Sequence, residues 1–193
     1  MTLHLVRAVP APPAQVWTPD GWHRGARWVR SPNFGPRPDG VAVDLVIVHS
    51  ISLPPGEYGG PYIEQLFTNT LDWSAHPYFE QIRGAEVSAH FLIRRDGELV
   101  QFVSCDDRAW HAGVSSFDGR PACNDYSVGI ELEGLEDHPF EPAQYARLAA
   151  LIGELRARYP IAAVAGHEHV APGRKRDPGR AFDWAGLRAR LGV

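Results

Sequence analysis

Hydrophobic residues recur along this chain in more than one rhythm. The run VDLVIVH, residues 43–49, is apolar and largely β-branched, which suits a strand buried on both faces inside a sheet. His49 stands at its C-terminal end. The following SLPPGEYGGPY is broken by proline and glycine and reads as a loop, with Pro61 placed for the first turn of a helix reaching about Asn69. VSAHFLI (87–93) and ELVQFV (98–103) predict two strands joined around Asp96-Gly97, a pair that tolerates the positive φ of a tight hairpin turn. YSVGIELE (126–133) alternates loosely and predicts a further strand.

The rhythm then changes. After Pro142, residues Tyr145, Leu148, Leu151, Ile152 and Leu155 recur at helical spacing, so an amphipathic helix is predicted to end near Tyr159-Pro160. A short strand, IAAVAG, precedes the loop-like stretch GHEHVAPGRKRDPG (166–179). The last helix is expected from about Asp183, whose carboxylate can cap the free amides of WAGLRARL. Residues 1–20, interrupted by Pro10, Pro12 and Pro13, read as an irregular N-terminal extension, and residues 21–193 as one domain. The order of elements predicts an α/β fold: a central mixed β-sheet flanked by α-helices, with a site in the crevice of the sheet.

Composition narrows the function. In 193 residues, 44% hydrophobic and 22% charged is the balance of an ordinary globular domain. A formal charge of -4 supplies no basic face for nucleic acid, so no nucleic-acid partner is expected. Cys105 and Cys123 are too few for a disulfide framework and lack the spacing of a thiolate metal module. Arg7 and the early prolines interrupt any export signal, and no run approaches the ~20 apolar residues that cross a bilayer. A monomeric cytoplasmic protein with no membrane partner is the expectation.

The stretch 166–179 holds the chemistry. His167 and Asp177 lie ten positions apart in a segment whose Pro172, Gly173 and Pro178 allow it to fold back and aim both side chains at one point. A catalytic zinc takes three nitrogen or oxygen ligands from protein and keeps a fourth position open, and His49 at its strand end is the best third ligand. Glu131, in GIELEG, is a candidate proton acceptor; Glu133 shares its strand face by the period of two and competes for the role. Both could equally be surface carboxylates on an edge strand. Lys175 brings a positive charge near the proposed ion, while Arg174 and Arg176 read as solvated or loosely anion-contacting. His90 reads as a packed, hydrogen-bonded core residue, and His169 as pointing to solvent. Trp110 could stack on a sugar or simply pack, and His111 could contact substrate or stand in an exposed loop.

Taken together, VHSISLPPGEYGGPYI, VSAHFLIRRDGELVQFV, RAWHAGVSSFDGR, CNDYSVGIELEG and GHEHVAPGRKRDPGRAFDW resemble the AmpD-type N-acetyl-anhydromuramyl-L-alanine amidases. The wider superfamily includes phage amidase-lysozymes and peptidoglycan-recognition proteins. The resemblance runs in order from about Gly21 to Trp184. It implies one Zn²⁺ held by His49, His167 and Asp177, catalysis by Glu131 and Lys175, and a muropeptide substrate cut between muramic acid and L-alanine in cell-wall recycling. It also favours Glu131 over Glu133. Two departures bear on substrate contacts: Ser50 stands where the family commonly has asparagine, and Glu86 and Ala122 stand where basic residues are expected. Arg83 and Arg120 are close enough in sequence to take over that role. Two alternatives remain, an amidase acting on intact peptidoglycan and a non-catalytic muropeptide sensor. A serine or cysteine hydrolase is disfavoured, because no G-x-S-x-G elbow is present.

Overall fold

In chain order the computed structural model, which describes residues 15–192, runs through β1 (Arg27–Trp28), β2 (Phe34–Gly35), β3 (Leu45–Ile51) and α1 (Tyr62–Phe67). It continues through β4 (Phe91–Ile93), β5 (Leu99–Gln101), β6 (Arg108–Ala109), β7 (Ser116–Phe117), β8 (Arg120–Pro121) and β9 (Ser127–Glu133). The last elements are α2 (Pro142–Arg158), β10 (Ala163–Gly166), α3 (His167–Val170) and α4 (Trp184–Leu191). Of the extension expected over 1–20, residues 1–14 lie outside the described residues. Trp17, inside the remainder, packs against the main core and bridges to His23.

Six strands form the central sheet in the order β1-β5-β4-β9-β3-β10. Only the β4–β5 pair is antiparallel, so the sheet is mixed, as the sequence predicts. The two central strands pair over seven residues, from Leu45 opposite Ser127 to Ile51 opposite Glu133. Because side chains alternate between faces, this register divides the sheet's work. Val46, Val48, Val128, Ile130 and Leu132 join the core beneath α2, where Leu148, Leu151, Ile152 and Leu155 are fully buried. The opposite face carries His49 and Glu131.

Local chemistry sets the helix ends. Pro142 opens α2, and Glu141 and Gln144 form a reciprocal capping box ahead of it. Asp183 caps α4 by accepting from the Gly186 amide at 2.8 Å. Gly97 takes φ +89 in the hairpin between β4 and β5, as Asp96-Gly97 predicts.

Two expectations change. The strand predicted over 87–93 is regular only from Phe91, because its first half bonds to loops instead: Ser88 exchanges hydrogen bonds with Trp110, and the Val87 carbonyl accepts from Asn33 Nδ2 at 2.8 Å. The stretch after Gly166 is not loop from its start, since His167–Val170 forms one helical turn. Among the described residues no helix is long and apolar enough to cross a membrane.

Candidate metal centre and its cavity

Register brings the first residues together. His49 lies directly opposite Glu131 in the β3–β9 pair, and β10 pairs with β3 so that Gly166 faces Val48. His167, one residue further, therefore emerges beside His49 at the ends of parallel strands. Two close approaches bring Asp177 back to them. Pro178 packs on Gly166, where a Cβ would meet its Cδ at 2.8 Å, and Gly179, at φ +85, leaves no room for a Cβ against the Glu136 carbonyl. The Glu168 amide donates to the Asp177 carbonyl at 2.9 Å, tying the returning loop to α3.

The three side chains meet as predicted. His49 Nδ1 and His167 Nδ1 are 3.0 Å apart, and each is 3.1 Å from Asp177 Oδ2. All three residues are buried. Ligand atoms sharing a tetrahedral zinc at its usual bond lengths stand roughly 3.3 Å apart, so this donor set fits the ion. Its protonation fits as well. Burial pushes the His49 pKa down to about 4, leaving the imidazole neutral. Burial acts upward on Asp177, but the close His167 and His49 rings outweigh it and hold the carboxyl well below its usual range. Neutral imidazoles and an ionised carboxylate are the forms that bind a cation.

Glu131 sits in the same cavity, 8% exposed. Its Oε2 is buried and finds no hydrogen-bond partner among the described residues. Burial, with the nearby Asp177 charge, raises its pKa well above 4.5, and Lys175 opposes the shift. β9 lies between β4 and β3, so neither glutamate is an edge-strand surface group. Glu133 is occupied elsewhere: it accepts from Gly59 N at 2.7 Å and Arg94 Nη1 at 2.8 Å, outside the cavity that holds Glu131.

The cavity, of about 480 Å³, is lined by Glu131, Lys175, Ser50, Trp110 and His111 together with the three candidate ligands. Apolar Phe67, Tyr78, Val87 and Pro55 also contribute to its wall. His90 is fully buried, accepting from the Gly129 amide at 3.0 Å, and His169 is exposed, as read from sequence.

Two sequence readings are corrected, and a third gains detail. Arg120 does not reach the cavity: it donates to Asp44 Oδ2 at 2.6 Å and lies over the Tyr126 ring. Asp44 precedes His49 by five residues, roughly 16 Å back along the strand direction. Arg83 is likewise paired with Glu80, outside the cavity lining. Arg174 is exposed, as read from sequence, and its Nη2 also donates at 2.6 Å to both the Ala112 and Val114 carbonyls, joining the metal loop to the 110–114 segment. One contributor went unread altogether. Gly129 leaves the space that the His111 ring fills, and a glycine inside a strand pattern is the signal that pointed there.

Comparison with known proteins agrees with this geometry. Residues 39–180 match the family described as N-acetylmuramoyl-L-alanine amidase. A 1,6-anhydro-N-acetylmuramyl-L-alanine amidase, AmpD, of Citrobacter freundii is 56% identical over 172 residues, covering 88% of this chain and 92% of its own. The crystal structure of a selenomethionine AmpD derivative superimposes with a TM-score of 0.87 at 56% identity, covering 89% of this chain and 97% of that one. The Escherichia coli amidase AmiD, solved with its substrate anhydro-N-acetylmuramic acid-L-Ala-D-γ-Glu-L-Lys, gives a TM-score of 0.58 at 28% identity, over 81% of this chain and 61% of its own. Agreement in sequence and fold across most of its length means that this chain belongs to the N-acetylmuramoyl-L-alanine amidase family.

Proposed function

We propose that the chain hydrolyses the amide joining the lactyl group of 1,6-anhydro-N-acetylmuramic acid to the L-alanine of a stem peptide, as a monomeric cytoplasmic enzyme of cell-wall recycling. One observation carries this reading: a buried His–His–Asp donor set stands beside a buried carboxylate whose Oε2 has no partner. His49, His167 and Asp177 would hold Zn²⁺, which when bound supplies Lewis-acid chemistry, polarising a carbonyl and acidifying water.

The chain's own groups do the rest. Glu131 in its ionised form, made more basic by burial, accepts a proton from the attacking water as oxygen adds to the lactyl carbonyl carbon. The Lys175 ammonium stabilises negative charge growing on the carbonyl oxygen. As the C–N bond breaks, Glu131 returns the proton to the departing alanine nitrogen, so the products are a free carboxyl on the sugar and a free amine on the peptide. The half-buried Trp110 lines the cavity as a flat apolar wall against which a sugar ring can lie. The orphaned Glu131 oxygen favours this enzyme over a non-catalytic sensor, which has no use for a buried carboxylate of raised pKa.

The test is mass spectrometry of an anhydromuramyl peptide incubated with the zinc-supplemented protein, with and without chelator. Peptide with a free N-terminal alanine is expected only without chelator. Binding of the muropeptide without any amine release would overturn the enzymatic reading in favour of the sensor. A parallel arm with the non-anhydro muramyl peptide tests the sugar preference, and faster release from that arm would count against the anhydro form.

A further inference from the structure

The two His49 ring nitrogens face different ways. Nδ1 looks into the His167–Asp177 cluster, while Nε2 lies 3.0 Å from Nδ1 of His111. His111 Nε2 in turn lies 3.3 Å from Ser127 Oγ, and Ser127 Oγ is 2.6 Å from the Cys123 carbonyl oxygen. Proton placement along this line follows from what each group can donate. A carbonyl cannot donate, so the Ser127 hydroxyl hydrogen points at Cys123. Ser127 Oγ then offers His111 only a lone pair, so His111 carries its hydrogen on Nε2 and accepts at Nδ1. His49 must therefore donate from Nε2, which leaves the Nδ1 lone pair facing the cluster.

We propose that His111, set by Ser127, is a positioning residue that locks His49 into the one tautomer able to offer Nδ1 to a metal ion. The assignment rests on the reading of His49, His167 and Asp177 as metal ligands. It replaces substrate contact as the role of His111, since both ring nitrogens are taken by protein partners. The sheet is built for the arrangement. A Cβ on Gly129 would stand 2.5 Å from the His111 ring, so a residue without a side chain is required under it, and the ring meets His49 edge-on with centroids 5.1 Å apart. The other histidine is fixed in the same sense by a simpler partner, since His167 Nε2 lies 3.2 Å from the Ala112 carbonyl. A carbonyl partner fixes the tautomer outright, but an imidazole partner is ambiguous until something fixes it in turn. Ser127 is that something.

The direct test is a long-range ¹H–¹⁵N correlation spectrum of the histidine rings in the zinc-loaded wild-type protein. A neutral His111 with its hydrogen on Nε2 is expected, and the Nδ1–H tautomer overturns the proposal. Zinc competition against a chromophoric chelator provides the second readout. Losing such an outer partner typically costs 10- to 100-fold in metal affinity, and His111→Leu is expected to fall by about that much. His111→Asn, whose Oδ1 can accept where Nδ1 did, is expected to recover most of the loss. Equal affinity in His111→Leu and wild type, or no recovery in His111→Asn, also overturns it. Since the ring fills space over Gly129, circular dichroism accompanies each variant. Ser127→Ala, which leaves the ring in place, is expected to weaken zinc binding, and unchanged affinity there counts against the proposal even where His111→Leu does not fold. Wild-type protein that takes up no zinc contradicts the metal reading itself, an outcome distinct from zinc uptake with the wrong His111 tautomer.

Discussion

At the scale of single residues, Glu131 is the group whose environment conflicts most with its chemistry. Burial and the Asp177 charge raise its pKa well above 4.5, so above that pH the native state holds a proton that the unfolded chain has already released. Stability from such a group is complete below the unfolded pKa and is lost as pH rises through the folded one. In the zinc-free protein, Glu131→Gln is therefore expected to raise Tm, with a gain that grows as pH rises from the usual glutamate range, about 4, toward neutrality. Thermal unfolding of both proteins across that range checks it; parallel curves would mean that the carboxyl is not held protonated. Under zinc saturation the same variant is expected to lose about 10²- to 10⁴-fold in kcat, the usual worth of a positioned general base. Lys175→Ala is expected to cost about 3–4 kcal/mol of the barrier, read as a fall in kcat with zinc content unchanged. Full turnover in both variants with metal bound would remove both roles.

At the scale of elements, Glu133 shows how one strand serves two purposes. Its carboxylate is 2% exposed and joins the Arg94 guanidinium from beyond β4 to the Gly59 amide of the loop after β3. That loop also supplies Ser52 and Pro55 to the cavity wall. Removing one member of a buried pair typically costs 3–5 kcal/mol; because Arg94 keeps a second partner in Glu64, Glu133→Ala is expected near the lower end, about 3 kcal/mol. Urea unfolding measures the loss, while KM is expected to rise with zinc affinity unchanged. An unaltered midpoint would show that the pair does not secure the loop. The two glutamates also mark how far sequence could be read. A period of two put both on one face, and β3, β9, α2 and the α4 cap were legible because burial on both faces, helical spacing and a capping acid are local signals. What separates Glu133 from Glu131 is Arg94 and Gly59, 39 and 74 residues away, which no local pattern carries. Arg120 misled for a related reason: nearness in sequence to Ala122 suggested the cavity, but its strand lies by Asp44, at the far end of β3.

At the scale of the whole molecule, the candidate ligands come from the end of a central strand, the first turn after β10, and a loop held down by Pro178 and Gly179. Each of these pieces is anchored separately, by the sheet, by α3 and by packing on Gly166 and Glu136, so the fold is expected to survive loss of the ion. Binding to the native state alone still adds stability by mass action, about 2.7 kcal/mol when free zinc is a hundred times its Kd. For a chain of 193 residues each kcal/mol moves Tm by roughly 2–4 °C, so chelation is expected to lower Tm by about 5–10 °C while leaving one cooperative transition. Scanning calorimetry with and without chelator checks both parts. Asp177→Ala is expected to abolish the zinc-dependent increment, because it removes one of three ligands and leaves two neutral imidazoles to hold the charge. A chelator effect that persists in that variant would place the stabilising ion elsewhere. A zinc-free wild-type protein with no cooperative transition would mean that the ion, not the packing around Gly166 and Gly179, holds the last segment to the sheet.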